Sequence, residues 1–195
     1  QWVVVDDGLS SNGTVVSGER VIGRRRLRHG DLIRVGDTVV AFCTPGDAVD
    51  VLIAMNPAAL KMNLADLKAN GILIVNSDAF AETDLRKAQL TVNPLEDHSL
   101  DKYRLFSVEL ERLTKVALDH LGLDAKSVSR CKNFFALGMC YWLYNRSMEG
   151  TARYIEEKFA KKPLLVEANK LAMKAGFSYC EATEAFQISY EIPPA

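Results

Sequence analysis

The sequence predicts an α/β fold, in which a short all-β meander precedes a partial parallel sheet with a helical C-terminal part. Residues 1–45 contain short β-branched runs separated by Asn, Asp and Gly turns, which is typical of antiparallel strands. Two nearly continuous apolar runs, 49–55 and 71–76, flank a stretch with helical features, as in a βαβ unit. From residue 109 onward, apolar residues recur at helical spacing.

The composition limits the classes of protein and partner. A chain of 195 residues fits one medium domain or two small ones, and 48% apolar residues suffice for a packed core. A net charge of −1 gives no general attraction to nucleic acid or acidic membrane. The chain has no apolar run near the ~20 residues that span a bilayer and no signal segment, so we expect a cytoplasmic protein. It begins with Gln1 inside a predicted strand, so we expect an upstream portion.

The cysteines and histidines predict no metal site. The cysteines are Cys43, Cys131, Cys140 and Cys180. They form no Cys-x-x-Cys pair and none lies at zinc-ligand spacing from a histidine, so we expect reduced, mostly buried thiols. A disulfide or a cluster ligand is the alternative. The histidines, His29, His98 and His120, are scattered and are interpreted as surface or structural residues.

The composition changes at Pro45. Residues 1–45 contain six arginines and no lysine, whereas the remainder contains six arginines and twelve lysines. Pro45 and Gly46 mark a break at the same place. The sequence therefore predicts two segments, residues 1–45 and 46–195.

The first segment is expected to form about five strands and no helix. The predicted strands are 2–5, 15–16, 20–22, 32–35 and 38–42. Asn12-Gly13 and Gly36-Asp37 are the hairpin signals, because these residue types tolerate the positive φ of a tight turn.

Three stretches, 5–14, 18–21 and 27–36, resemble the second half of a forkhead-associated domain, a phosphothreonine-binding β-sandwich. The resemblance implies that Asn12, with Ser10 and Ser11 beside it, contacts the phosphopeptide. The arginine and serine with which that family grips phosphate fall ahead of Gln1, and such donors supply much of the affinity. Turn chemistry alone is the alternative role for these three residues.

The second segment is expected to open with a right-handed βαβ unit. Strand 49–55 is followed by Asn56-Pro57, a favourable N-cap and first helical residue. The helix should continue through Leu67 and end at Asn70-Gly71, which leads into strand 71–76. Runs 90–92 and 105–108 predict two further short strands.

Four helices are expected after the strands. Residues 109–121 form an amphipathic stripe, and 129–146 are apolar on most faces. Thr151 is the predicted N-cap of the third helix. The fourth should begin at Pro163 and end at Gly176.

The second segment resembles the gamma domain of 2-oxoacid:ferredoxin oxidoreductases, most closely the form fused to the alpha subunit of 2-oxoglutarate:ferredoxin oxidoreductase. The resemblance rests on residues 50–60, 74–78, 132–138, 159–163 and 167–176, within a match over 48–195. The resemblance implies an assembly with alpha and beta subunits that decarboxylates a 2-oxoacid oxidatively with coenzyme A. Thiamine diphosphate, magnesium and iron–sulfur clusters belong to that assembly.

No catalytic or metal-binding residue is expected in this chain, and no cofactor is expected to bind to it alone, because it contains no motif for the diphosphate or its magnesium and no cluster cysteines. Asn56 lies where open α/β sheets usually bind ligands, so it is the candidate cofactor contact, with a helix cap as the alternative. Three functions follow: a gamma part of the oxidoreductase, a module for a phosphothreonine protein, or a spliced chain without activity of its own.

Overall fold

A computed structural model describes residues 3–6, 14–17, 19–27, 32–35, 38–41 and 48–183. The chain divides into two compact units, residues 1–49 and 50–195. The described residues of the first unit form strands, and those of the second form an α/β structure.

The described residues of the first unit form two small antiparallel sheets. Its strands are β1 (Val3–Asp6), β2 (Thr14–Val16), β3 (Glu19–Arg20), β4 (Gly23–Arg26), β5 (Leu32–Val35) and β6 (Thr38–Ala41). One sheet pairs β1 with β4, and the other has the order β3-β2-β5-β6. Val35 lies opposite Thr38, so β5 and β6 form the hairpin predicted around Gly36-Asp37.

One prediction for this unit is wrong, and one strand was not predicted. The strands that flank Asn12-Gly13 do not form a hairpin: β2 pairs with β3 on one edge and β5 on the other, so β1 has to pair elsewhere, with β4. The arginine-rich strand β4 was not predicted, because its charged residues lack the apolar pattern of a strand. β4 pairs with β1, and Val4 lies opposite Arg25. Gly23 opens β4 at φ +74, a conformation that favours glycine.

The second unit is built on a three-stranded parallel sheet, which confirms the predicted fold class. Its strands are β7 (Val49–Ala54), β8 (Leu67–Asn76) and β9 (Arg104–Val108), in the order β7-β8-β9. Residues 71–76 of the central strand are all buried. The prediction that strand 49–55 is buried on both faces is wrong, because most of β7 is half-buried and, among the described strands, β7 lies at an edge of this sheet.

The first helix is shorter than predicted. Helix α1 (Pro57–Asn63) gives way to a 3-10 turn at Leu64–Asp66, and Leu67 already belongs to β8. Asn70 has φ +61 and its amide donates to the Lys102 carbonyl at 2.9 Å. Asn70-Gly71 is therefore a bend within a strand instead of a helix end. Residues 90–92, predicted as a strand, are bent, irregular backbone.

Within residues 48–183, five further helices are described: α2 (Glu82–Lys87), α3 (Leu110–Leu118), α4 (Ala125–Leu143), α5 (Glu149–Lys158) and α6 (Pro163–Thr183). Helix α5 begins before Thr151, so this residue is not an N-cap as predicted; its hydroxyl instead bonds the Tyr141 hydroxyl at 2.5 Å. Helix α6 continues through Gly176, where it was predicted to end. Among the described helices, none has the length and apolar character needed to cross a membrane.

Helices α4 and α6 cross at two glycines. A Cβ on Gly138 would lie 1.9 Å from the Met173 carbonyl oxygen, and one on Gly176 would lie 1.9 Å from the Phe135 carbonyl oxygen. Both contacts are to backbone, which cannot swing aside. Gly176 therefore serves helix packing instead of helix termination. The crossing adjoins the main core, whose buried residues are Ile72, Ile74, Val108, Leu110, Phe135, Ala136, Met139, Leu143 and Cys180.

Candidate functional site

The carboxyl ends of the three strands meet at one edge of the parallel sheet. β7 ends at Ala54, β8 at Asn76 and β9 at Val108. The next residues start helices, since Asn56 precedes α1 and Glu109 precedes α3. Open α/β sheets bind ligands at such an edge, so the polar groups there form the candidate site.

Asn76 links the three segments at this edge. Its side chain is fully buried. Its Nδ2 donates to the Met55 carbonyl at 3.3 Å, and its Oδ1 accepts from the Leu110 amide at 3.2 Å. One amide therefore fixes the end of β7 and the start of α3 relative to β8. Burial of this amide is tolerated because both its donor and its acceptor are used.

Asp78 occupies the N-terminus of α3. Its Oδ2 accepts from the amides of Glu111 and Arg112, at 2.9 and 3.0 Å. The first amides of a helix have no partner within the helix and attract negative charge. These two amides, which would otherwise be available to an external anion, are thus engaged by a carboxylate of the same chain. Sequence reasoning missed this role, because Asp78 lies more than thirty residues before its partners.

A surface ion pair borders the same helix start. Arg112 donates from Nε to a Glu109 carboxylate oxygen at 2.8 Å and from a terminal nitrogen to the same oxygen at 2.5 Å. These hydrogen bonds from Arg112 lower the pKa of Glu109 and also raise the pKa of Arg112. Tyr179 lies near both, and burial raises its pKa. The edge thus presents a compensated ion pair next to a phenol.

Asn56, the predicted cofactor contact, caps helix α1. Its Oδ1 accepts from the Ala59 amide at 2.8 Å and its carbonyl accepts from the Leu60 amide at 3.1 Å. The predicted capping role is therefore confirmed. The cofactor contact remains a prediction, now for an exposed residue whose Oδ1 is engaged.

Replacing Asn56 with alanine is expected to lower the free energy of unfolding by about 1 kcal/mol, because the Ala59 amide loses its acceptor. Asn56→Ser should recover most of this loss, since serine is also a good N-cap. Urea unfolding followed by circular dichroism measures both variants. Equal stability of the alanine variant and the parent chain would show that the cap contributes nothing.

Of the described cysteines, Cys131 and Cys180 are buried and Cys140 is half-buried. Burial raises the pKa of Cys131, that of Cys140 to about 11 and that of Cys180 to about 12. Among the described residues, no group of three or more His, Cys, Asp or Glu side chains could hold a metal ion. The described cysteines therefore do not fit an iron–sulfur cluster, which needs several thiolates around one centre.

We expect Cys140 and Cys180 to resist alkylation at pH 8 in the folded chain and to react once the chain is unfolded in urea. Both raised pKa values keep the thiols neutral, and the thiolate is the nucleophile. The stability linked to these groups is present below the unfolded thiol pKa of about 8.5 and is lost as the pH rises through the folded values. The folded or unfolded chain is treated with iodoacetamide and digested, and mass spectrometry of the peptides measures the labelling of each cysteine. Fast labelling of Cys180 in the folded chain would contradict its burial.

The other predicted binding residues, Ser10, Ser11 and Asn12, lie outside the described residues. Two surface cavities lie in the helical part, away from Asn56. One, of about 320 Å³, is lined by residues of α3 and of α4 with its N-terminal approach. The other, of about 560 Å³, is a groove between α5 and α6.

The fold and this edge define an α/β domain in which the strand ends are tied together by the chain's own side chains. The sequence profile described as pyruvate ferredoxin/flavodoxin oxidoreductase matches residues 32–179. The chain belongs to this family. A second profile, that of the FHA domain, matches residues 1–36. Both resemblances predicted from the sequence are thereby confirmed, and the two matches overlap at 32–36, within the region of β5.

Known proteins show the same relationship. The chain is 50% identical over 152 residues to the 2-oxoglutarate oxidoreductase subunit KorA of Mycobacterium tuberculosis, a match that covers 78% of this chain and 23% of that protein. The chain thus spans about a quarter of the relative's length.

Two solved structures are also similar. The 2-oxoglutarate:ferredoxin oxidoreductase of Magnetococcus marinus, solved with 2-oxoglutarate, coenzyme A and succinyl-CoA, superposes with a TM-score of 0.55 at 20% identity over 80% of this chain and 24% of that one. This likeness supports the fold. The gamma subunit of a keto/oxoacid ferredoxin oxidoreductase from Geobacter sulfurreducens PCA gives a TM-score of 0.43 at 23% identity, over 71% of this chain and 66% of that one.

Proposed function

We propose that the chain serves as the gamma-domain part of a 2-oxoacid:ferredoxin oxidoreductase, with 2-oxoglutarate as the oxoacid. The observation that carries this proposal is the 50% identity over 152 residues to a 2-oxoglutarate oxidoreductase subunit. The partner alpha and beta subunits would bind thiamine diphosphate, magnesium, iron–sulfur clusters and coenzyme A, in a cytoplasmic assembly. When bound there, these groups supply the decarboxylation and electron transfer.

The contribution of this chain is structural support for those subunits. Asn76 and Asp78 hold the strand ends and the start of α3 in one arrangement, which suits a rigid docking domain. Among the described residues, the Cys140 and Cys180 thiols are neutral and two amides at the start of α3 are engaged by Asp78, which supports a role without bond-making steps.

Association with the complementary subunits tests this role. We expect native mass spectrometry to show the chain bound to the alpha portion and beta subunit of a homologous enzyme, at a dissociation constant of about 1 μM or below. A folded chain that remains unbound at far higher concentration would refute the proposal.

The FHA-domain match favours a second candidate, contact with a phosphothreonine protein through Ser10, Ser11 and Asn12. We expect a phosphothreonine peptide library to bind with a dissociation constant of about millimolar, or not at all. Arginine donors supply much of the affinity for phosphate, and the resemblance assigns no such arginine within residues 1–45. Micromolar binding that Asn12→Ala abolishes would overturn this expectation and establish the module.

A spliced origin of the chain is the third candidate, since two family profiles meet within residues 32–36. Intact-mass measurement with N-terminal sequencing of the protein from its source tests whether the two segments are joined in one polypeptide. Recovery of a single polypeptide that carries residues 1–45 and 46–195 would contradict a join that exists only in the assembled sequence. Recovery of only one segment would support such a join.

A further inference from the structure

The groove between α5 and α6 is an apolar surface with a regular pattern of charge. It has a volume of about 560 Å³, and its apolar lining comprises Met148, Ala152, Pro163, Val166, Leu171 and Met173. Only Met173 of these is fully buried within this chain. Nearby, Leu164 is 43% exposed. Such a groove between two helices accommodates a third helix.

Helix α6 carries both acidic and basic side chains along the groove. Glu167 and Lys174 both line it and both are exposed. They lie two helical turns apart on one face, or about 10.5 Å along the axis. Within the part of the chain that the structure describes, neither forms an ion pair. Lys170 lies between them and is neutralised by Glu156, at 2.6 Å.

This order is complementary to itself under a twofold axis. If two α6 helices lie antiparallel with the axis between Lys170 and Leu171, Glu167 of each copy faces Lys174 of the other. The pair forms twice, because an isologous interface repeats every contact. Lys170, the one cation next to the axis on this face, already carries its own counterion in Glu156. The apolar residues of both copies then cover each other.

We propose that this groove is the contact through which two copies of the chain associate, with α6 packed antiparallel against α6 and the Glu167–Lys174 pairs setting the register. A partner helix of unrelated sequence has no reason to match this spacing, whereas a second copy matches it by symmetry. The interface is independent of the proposed oxidoreductase function, and its test needs no other subunit.

Charge reversal tests the register. We expect sedimentation velocity to show a monomer–dimer equilibrium for the full chain between about 1 and 100 μM. Glu167→Lys and Lys174→Glu should each raise the dimer dissociation constant roughly tenfold or more, because each places like charges together at two positions. The double variant Glu167→Lys/Lys174→Glu restores opposite charges and should return to within about threefold of the parent.

Glu157→Lys is the matched control, because Glu157 is exposed on α5 and does not line the groove. It should leave the equilibrium unchanged. Thermal unfolding shows that each variant is folded. A parent chain that is monomeric throughout the range would overturn the proposal and assign the groove to a different occupant. Single variants that dimerise as the parent does, or a double variant as weak as the singles, would overturn it equally.

Discussion

Replacing Gly138 with alanine is expected to lower the free energy of unfolding by about 3 kcal/mol, the upper end of the cost of overpacking. The new Cβ would lie 1.9 Å from the Met173 carbonyl oxygen, and Met173 is fixed within α6. Relief requires the two helices to separate, which opens the contacts of the main core. Gly176→Ala should behave alike, because its Cβ would meet the Phe135 carbonyl at the same distance.

Gly150→Ala is the matched control. Gly150 also lies in a helix, α5, but a Cβ there meets nothing within 4 Å. Alanine should therefore be neutral or stabilising by up to about 1 kcal/mol, from the better helix propensity. Urea unfolding compares the three variants. If Gly138→Ala and Gly150→Ala had equal stability, the close crossing of α4 and α6 would be contradicted.

Replacing Asn76 with leucine is expected to cost about 2 to 4 kcal/mol. The two side chains are similar in volume, so the main change is the loss of hydrogen bonds. The Met55 carbonyl loses its donor and the Leu110 amide loses its acceptor. Each buried polar group left without a partner costs about 1–3 kcal/mol. The loss also releases the start of α3 from β8, so exchange of amides in the first turn of α3 should accelerate.

Asn63→Ala controls for the removal of an asparagine. The Asn63 side chain donates to the Ala59 carbonyl at 2.7 Å but is exposed, so water replaces the bond. The expected change is within about 0.5 kcal/mol, as for most surface substitutions. Equal losses for Asn76→Leu and Asn63→Ala would show that Asn76 does not link the strand ends.

The sequence was a good guide where a signal is local. The cap of α1 at Asn56, the hairpin at Gly36-Asp37 and the buried strand 71–76 each follow from neighbouring residues. The fold class also follows, because periodicity separates strands from helices over short windows.

The errors arise where a distant segment decides the outcome. A glycine at position 176 suggested a helix end, yet α6 continues through it. The glycine is there because the backbone of Phe135, on another helix, packs directly against it. Asn70-Gly71 bends a strand because Asn70 pairs with Lys102. Such contacts cannot be read from one sequence.

The candidate site was predicted only in part. Its position at the carboxyl ends of the strands follows from the βαβ pattern, and Asn56 lies there as predicted. The roles of Asn76 and Asp78 depend on a helix that begins more than thirty residues later. Two polar residues after an apolar run, Asn76 and Asp78, were the available signal.

Turnover by a reconstituted enzyme tests the central claim most directly. The chain is added to the alpha portion and beta subunit of a homologous enzyme that lacks its gamma domain, and viologen reduction is measured with 2-oxoglutarate and coenzyme A. We predict that the chain alone gives no turnover, that the mixture restores it, and that the rate saturates at one chain per alpha portion. No increase on addition of the folded chain would contradict its assignment as the gamma part of this oxidoreductase.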